Sequence, residues 1–148
     1  GAALALKGTD RLPVAVLGDG DYLMGVSAFW TAARYGIPFL AIIANNRSFY
    51  NDEIHQEKVA VSRERPVENK WIGQHIGGPD IDLAAMARAQ GVKAIGPVTN
   101  ARDLKSAIEV ALEDVRQGNA VVIDARITPG YSKAMSAGMT RTADETAE

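Results

Sequence analysis

Two short polar turns hold most of the side chains with chemical reach in this sequence. One is Gly18-Asp19-Gly20 and the other is Asn45-Asn46, with the 24 residues from Asp21 to Ala44 between them. Asp19 offers a hard anionic oxygen, and Asn46 offers a neutral carbonyl oxygen. With one backbone carbonyl they make a fair protein share of an octahedral Mg²⁺ shell, whose other positions suit phosphate oxygens and water. Glycines let the backbone approach a ligand closely. A helix starting just after the first turn would point N–H groups and a positive dipole end at an anion. The residue types and their spacing therefore suggest a Mg²⁺–diphosphate site.

Plainer readings stand beside this one. Gly-Asp-Gly alone is as readily an ordinary strand-to-helix turn, so the weight rests on the pair of turns at this spacing. Asn45 reads as support for its turn and not as a ligand. Histidine can act as a pocket acid or base, but His55 and His75 lack metal-binding spacing and read as polar loop residues. Phe29 and Trp30 read as helix-packing residues, and Trp71 is divided between a pocket wall and a subunit contact. Ser62-Arg-Glu-Arg65 reads as a solvated charged segment. Asp80 and Asp82 read as helix-start residues, not as a catalytic pair.

The turns must be positioned by the elements around them. Pro13-Val-Ala-Val-Leu17 is a short apolar run entering the first turn, the pattern of a buried strand. Leu23, Val26, Phe29, Trp30 and Ala33 recur at helical spacing, which predicts a helix from Asp21 to Tyr35. Asp21 is its expected N-cap and Gly36 its C′ residue, with Pro38 barring continuation. Pro38-Phe-Leu-Ala-Ile-Ile-Ala44 is a second strand with no alternation, as in a parallel sheet covered on both faces. The stretch Asn45 to Pro79 is irregular, with a short helix expected around Asn51 to Glu57; a loop of this length is unusual unless it is functional.

Regularity returns at Asp80, where Ile81, Leu83, Ala84, Met86 and Ala87 form an apolar face that Gly91 ends. Val92 to Ile95 is a short strand. Asn100 caps a helix whose face is Leu104, Ala107, Ile108, Ala111, Leu112 and Val115, closed by Gly118. Ala120 to Asp124 is the last strand, and the Ser/Thr/Ala/Gly-rich tail after Pro129 is expected to be mobile. Strands alternating with helices argue an α/β three-layer sandwich with a mainly parallel sheet. In such sheets ligands bind at the carboxyl ends of the strands, where both polar turns fall.

Bulk properties narrow the field. The 148 residues suit one domain, and 47% apolar content suffices for a core. A net charge of −2 with dispersed Lys and Arg gives no case for nucleic acid or an anionic membrane. With no cysteine there is neither a disulfide framework nor a thiolate nucleophile, which fits a cytoplasmic protein. The longest apolar run, Ile37 to Ala44, is far short of the roughly 20 residues of a membrane helix. The first residues, Gly1-Ala-Ala-Leu-Ala-Leu-Lys7, lack a basic leader and read as the end of a helix begun upstream. The chain is therefore expected to be a piece of a longer one.

The two turns and their flanks resemble thiamine-diphosphate enzymes. The matching residues are Val14-Ala-Val-Leu-Gly-Asp-Gly-Asp21, Asn45-Asn-Arg-Ser-Phe49, and Pro79-Asp80-Ile-Asp-Leu83 with Ala87 and Gly91. The likeness runs from about Gly1 to Thr128 and points to the branch of acetolactate synthase, benzoylformate decarboxylase and related 2-oxoacid decarboxylases and lyases. It implies a Rossmann-like thiamine-diphosphate-binding fold: a C-terminal domain over residues 1–128, short of its upstream part, and a mobile tail over 129–148. It implies Mg²⁺ held by the side chains of Asp19 and Asn46 and by the backbone carbonyl of Ser48. The cofactor's diphosphate would rest on Gly18, Gly20, Asp21 and Tyr22, largely through backbone N–H groups, with Asn46 and Ser48 beside it.

The same likeness implies a 2-oxoacid or aldehyde substrate and a homo-oligomer. It also implies N-terminal domains, and a partner subunit carrying the Glu that activates the cofactor. It assigns no residue of this chain to the reaction itself, so the piece alone is expected to be inactive. Two positions depart from the family pattern: Asp21, where many members have Ser, and Tyr50, where many have Gly. Three other readings stay open: a natural subunit of a two-chain decarboxylase, a non-catalytic Mg²⁺–polyphosphate or nucleotide module, and an interaction module with a relict site.

Overall fold

A computed structural model describes residues 1–130 of the chain. The tail expected to be mobile lies, beyond Gly130, outside the described residues. A short helix α1 (Ala2–Ala5) leads to strand β1 (Val14–Gly18), helices α2 (Asp19–Gly25) and α3 (Ser27–Tyr35), and strand β2 (Phe39–Asn45). Then come α4 (Tyr50–Ser62), α5 (Leu83–Ala89), β3 (Lys93–Val98), α6 (Ala101–Arg116) and β4 (Ala120–Arg126). The four strands form one parallel sheet in the order β1-β2-β4-β3. The expected α/β sandwich is thus present.

Each face of the sheet has its own cover. On one side Tyr22 of α2, Phe29 and Ala32 of α3, and Leu83 and Ala87 of α5 pack on Ala41, Ile43 and Val122. On the other, Ala107, Ala111 and Val115 of α6 pack on Leu40, Val121 and Ile123. The burial of these side chains drives the assembly, at roughly 1.5–3 kcal/mol for a large aliphatic side chain fully removed from water. The partly buried Leu104, Ile108 and Leu112 complete the α6 stripe, as their helical spacing predicts.

Local signals explain most element ends. Asn100 accepts the Asp103 N–H at 2.9 Å and caps α6. Gly36 closes α3 in the left-handed conformation at φ 54°, which suits a residue without Cβ. Asp82 caps α5 by accepting the Ala85 N–H at 2.7 Å.

Other elements depart from expectation. The single helix expected over Asp21–Tyr35 is two helices, broken at Val26 between the poor helix formers Gly25 and Ser27. Its start is Asp19, and Gly18 occupies the N-cap without any side-chain hydrogen bond, so Asp21 lies within the first turn and does not cap. Trp30 is 55% exposed and packs on no core, while Phe29 is buried. Helix α5 begins at Leu83, and Ile81 stays outside its buried face. Helix α4 extends to Ser62, past the expected end at Glu57. No residue from 49 to 82 is buried, so α4 lacks the one-sided apolar stripe that would have marked its length.

Candidate functional site

Parallel pairing of β1 with β2 puts Gly18 opposite Ala44, so the two polar turns leave the same edge of the sheet side by side. Between them lies a polar cleft of about 350 Å³, lined by Gly18, Asp19, Gly20, Asp21, Asn46, Ser48, Phe49 and the first residues of α4. Of the residues expected to bind, the structure brings Gly18, Asp19, Gly20, Asp21, Asn46 and Ser48 to this one cleft. Tyr22 is not among its lining. The Tyr22 ring is buried against Phe29 at 5.2 Å between ring centroids, and its hydroxyl donates to the Leu83 carbonyl at 3.0 Å. The core takes this side chain because it is large and mostly apolar, and its one polar atom finds a partner.

Asp19 is 2% exposed. Its Oδ1 accepts the Gly20 N–H at 3.1 Å, while no hydrogen bond among the described residues reaches Oδ2. Burial raises the Asp19 pKa above the usual carboxylate range. The backbone N–H groups of Gly20, Arg47 and Ser48 lie near enough to oppose that shift. A buried anionic oxygen without a partner is costly, and a cation would relieve the cost. Asn46 turns its Oδ1 back to accept the Ser48 N–H at 2.9 Å. An amide oxygen has two lone pairs, so one remains for a cation. The bend depends on Arg47 at φ 60°, a left-handed conformation uncommon outside glycine and found where surrounding structure enforces it.

Phe49 roofs the first turn. A Cβ placed on Gly20 would lie 2.2 Å from the Phe49 ring, so no other residue fits beneath it. Ser48 is buried and its hydroxyl donates to Glu53 on α4, linking the turn to that helix. The segment 74–76 ties the turn from the other side: the Phe49 N–H donates to the Gln74 carbonyl at 2.9 Å, and the Ile76 N–H to the Arg47 carbonyl at 2.7 Å. Asp80 meets Arg126 at 3.2 Å and Arg47 at 3.8 Å, closing the same rim.

An anionic oxygen, an amide oxygen and nearby backbone carbonyls are hard donors suited to Mg²⁺, and they share one cleft with Gly18 and Gly20. The residues present therefore fit a Mg²⁺-bound diphosphate. Residues 1–125 match the model of the family described as thiamine pyrophosphate enzyme, C-terminal TPP binding domain. The chain belongs to this family.

Individual relatives agree with the thiamine pyrophosphate family. YdaP of Bacillus subtilis, named as a thiamine pyrophosphate-containing protein, is 30% identical over 142 residues, which is 90% of this chain and 23% of YdaP. A benzoylformate decarboxylase of Pseudomonas aeruginosa is 26% identical over 110 residues, 69% of this chain and 17% of that protein. Among solved structures, a thiamine diphosphate-dependent 4-hydroxybenzoylformate decarboxylase of Rhodococcus jostii RHA1 superposes with a TM-score of 0.61 at 26% identity. That match covers 84% of this chain and 21% of the other. The chain thus spans less than a quarter of each of these proteins.

The remaining expected residues fall elsewhere. His55 and His75 are exposed; His55 lines a groove between α4 and residues 65–70, and His75 bridges to Ser48 through the backbone. Trp71 is 53% exposed. The 45–46 turn has a further member that the sequence reading did not single out. The Asn45 amide donates to Asp124 Oδ1 at 2.8 Å, and both residues are buried. A carboxylate ending an otherwise apolar run, Ala120 to Ile123, was the available signal.

Proposed function

We propose that this domain holds the diphosphate end of thiamine diphosphate through Mg²⁺, inside an enzyme that decarboxylates a 2-oxoacid or makes or breaks a carbon–carbon bond. The observation that carries this reading is Asp19, a buried carboxyl with one free oxygen, set beside Asn46 in the cleft. Asp19 and Asn46 would give side-chain oxygens to the metal and Ser48 its carbonyl. Gly18, Gly20 and Asp21 would offer backbone N–H groups to the diphosphate, since the first turn of a helix leaves such groups without partners. Tyr22 would serve by anchoring that turn to the core. The cofactor supplies the carbanion chemistry when bound.

This chain's share of catalysis is to bind and orient. Phe49 covers the first turn at Gly20, and the Ser48–Glu53 bond ties the second turn to α4. Asp21 and Asp52 line the same cleft and disfavour a bare anion there, which makes the metal a condition of diphosphate binding. The names of the relatives favour an aromatic 2-oxoacid such as a benzoylformate as substrate, handled by a lyase or transferase. The complete enzyme would add further domains, and a partner subunit would supply the activating Glu, in a cytoplasmic homo-oligomer. Val14 and Val16 of β1 are 54% and 69% exposed and offer apolar surface for such assembly.

The test is calorimetric titration of thiamine diphosphate into the chain, with and without Mg²⁺, on wild type and Asp19→Ala. Metal-dependent binding that the variant loses, with thiamine diphosphate preferred over ADP, is the expected result. Equal binding of ADP would overturn the cofactor assignment in favour of a general polyphosphate module. Absence of metal-dependent binding in the wild-type chain would overturn the site as a self-sufficient grip on the diphosphate.

A further inference from the structure

Asp124 is an anomaly in its strand. The register places it opposite Ile43 of β2, on the face covered by α2, α3 and α5, and it is 1% exposed. The neighbouring strand β3 passes close to it. A Cβ on Gly96 of β3 would fall 2.8 Å from both the Asp124 Cβ and its carbonyl oxygen. Gly96 also has φ +138°, and the β3–β4 register shifts between Ile95 and Val98. Only glycine satisfies both the space and the backbone there.

The carboxyl is poorly compensated. Burial raises its pKa; the Asn45 amide and the Arg126 cation oppose that shift, and Asp82 and Asp19 add to it. One hydrogen bond reaches it, from Asn45 Nδ2 to Oδ1, and Oδ2 has no partner among the described residues. An apolar residue of similar volume would avoid this cost, since a buried ionisable group is weak evidence for stability. Packing alone therefore does not explain Asp124.

Its single partner lies next to the cleft. Asn45 is 3% exposed, and its carbonyl also accepts the N–H of Ile127, the residue after β4, at 2.9 Å, so it is held by side chain and main chain. Asn46 follows, then the left-handed Arg47, then Ser48, whose N–H returns to Asn46 Oδ1. We propose that Asp124 is a positioning residue for the metal site: its carboxyl anchors the Asn45 amide and so fixes the Asn46–Ser48 turn beside Asp19. The role at a metal rests on the functional reading above; the anchoring of the turn does not. Asp124 itself is not among the residues that line the cleft.

Asp124→Leu removes the acceptor while keeping volume, and Asp124→Asn keeps an oxygen that Asn45 can still donate to. Two readouts separate positioning from bulk stability: hydrogen exchange of the Ser48 amide in the ligand-free chain, and the Kd for thiamine diphosphate with Mg²⁺. The Leu variant should speed Ser48 exchange by about tenfold or more and weaken Kd about tenfold, the loss of one buried hydrogen bond. Ladder amides such as Ile43 and Val122 should keep their protection, and the Asn variant should stay near wild type in both readouts. If Asp124→Leu does not fold, Asn45→Ala breaks the same bond from its other end and carries the comparison. Ser48 exchange that rises no more than that of the ladder amides, or an Asn variant as damaged as the Leu variant, would overturn the proposal. A wild-type chain that binds no thiamine diphosphate fails the functional reading alone, because Ser48 exchange still decides whether Asp124 orders the turn.

Discussion

The two faces of the sheet are built to different rules. Against α6 the core is aliphatic throughout: Leu40, Val98, Ala107, Ala111, Val115, Val121 and Ile123. Against α2, α3 and α5 the same sheet also buries Asp19, Asn45 and Asp124, and Tyr22 joins the core there. The first face has only to exclude water. The second exchanges part of that cohesion for groups that can hold a cation and shape a turn. Local violations of packing rules of this kind are where function is expected to reside.

Substitutions on the two faces should therefore differ in whether they touch affinity. The largest effect is expected from Ile123→Ala on the α6 side, at about 2–5 kcal/mol of stability. Chemical denaturation should show that loss, while the fraction still folded binds thiamine diphosphate with unchanged Kd. Gly20→Ala on the other face should strike affinity: the new methyl overlaps the Phe49 ring and must displace it, which also costs some stability, and the Mg²⁺-dependent affinity of the folded fraction should fall roughly 100-fold, about 2.7 kcal/mol. An Ile123→Ala variant that loses affinity along with stability would erase the contrast.

A subtler contrast concerns charge. In the metal-free chain, burial raises the folded pKa values of Asp19 and Asp124 above the ordinary carboxylate value. A carboxyl raised on folding contributes stability that is full below its unfolded pKa and lost as pH rises through the folded one. The metal-free chain should therefore gain stability as pH falls from neutrality toward the unfolded value. Asp19→Asn should flatten that rise and stabilise the metal-free chain at pH 7 by ~1–3 kcal/mol, while abolishing the response of Tm to Mg²⁺. Thermal melts at pH 7 and pH 5, with and without Mg²⁺, give both answers. The smallest expected effect is from Asn100→Ala, which removes the α6 cap at about 1 kcal/mol and should leave the Mg²⁺ response of Tm unaltered.

The site was legible to the extent that it is local. Gly18-Asp19-Gly20 and Asn45-Asn46 announce themselves by residue type, and two parallel strands between helices suffice to bring their ends together. Asn100 and Gly36 were equally readable, since a cap depends on a few neighbouring residues. What escaped depends on distant partners. The role of Asp124 lies in a bond to Asn45, 79 positions away. Trp30 has a core residue's chemistry and the wrong angular position on α3. Helix α4 buries none of its residues, so hydrophobic periodicity could not report its length.

The strand order carries a consequence for synthesis. Of the four strands among the described residues, β4 is the last to leave the ribosome, yet it sits between β2 and β3 and pairs with both. Domains fold as units during synthesis, and parallel pairings between distant segments are slow to form. The ribosome exposes both polar turns long before the strand that anchors one of them exists. A nascent chain halted before Ala120 would carry every residue assigned to the metal and lack the strand that locks the Asn45 side of the cleft.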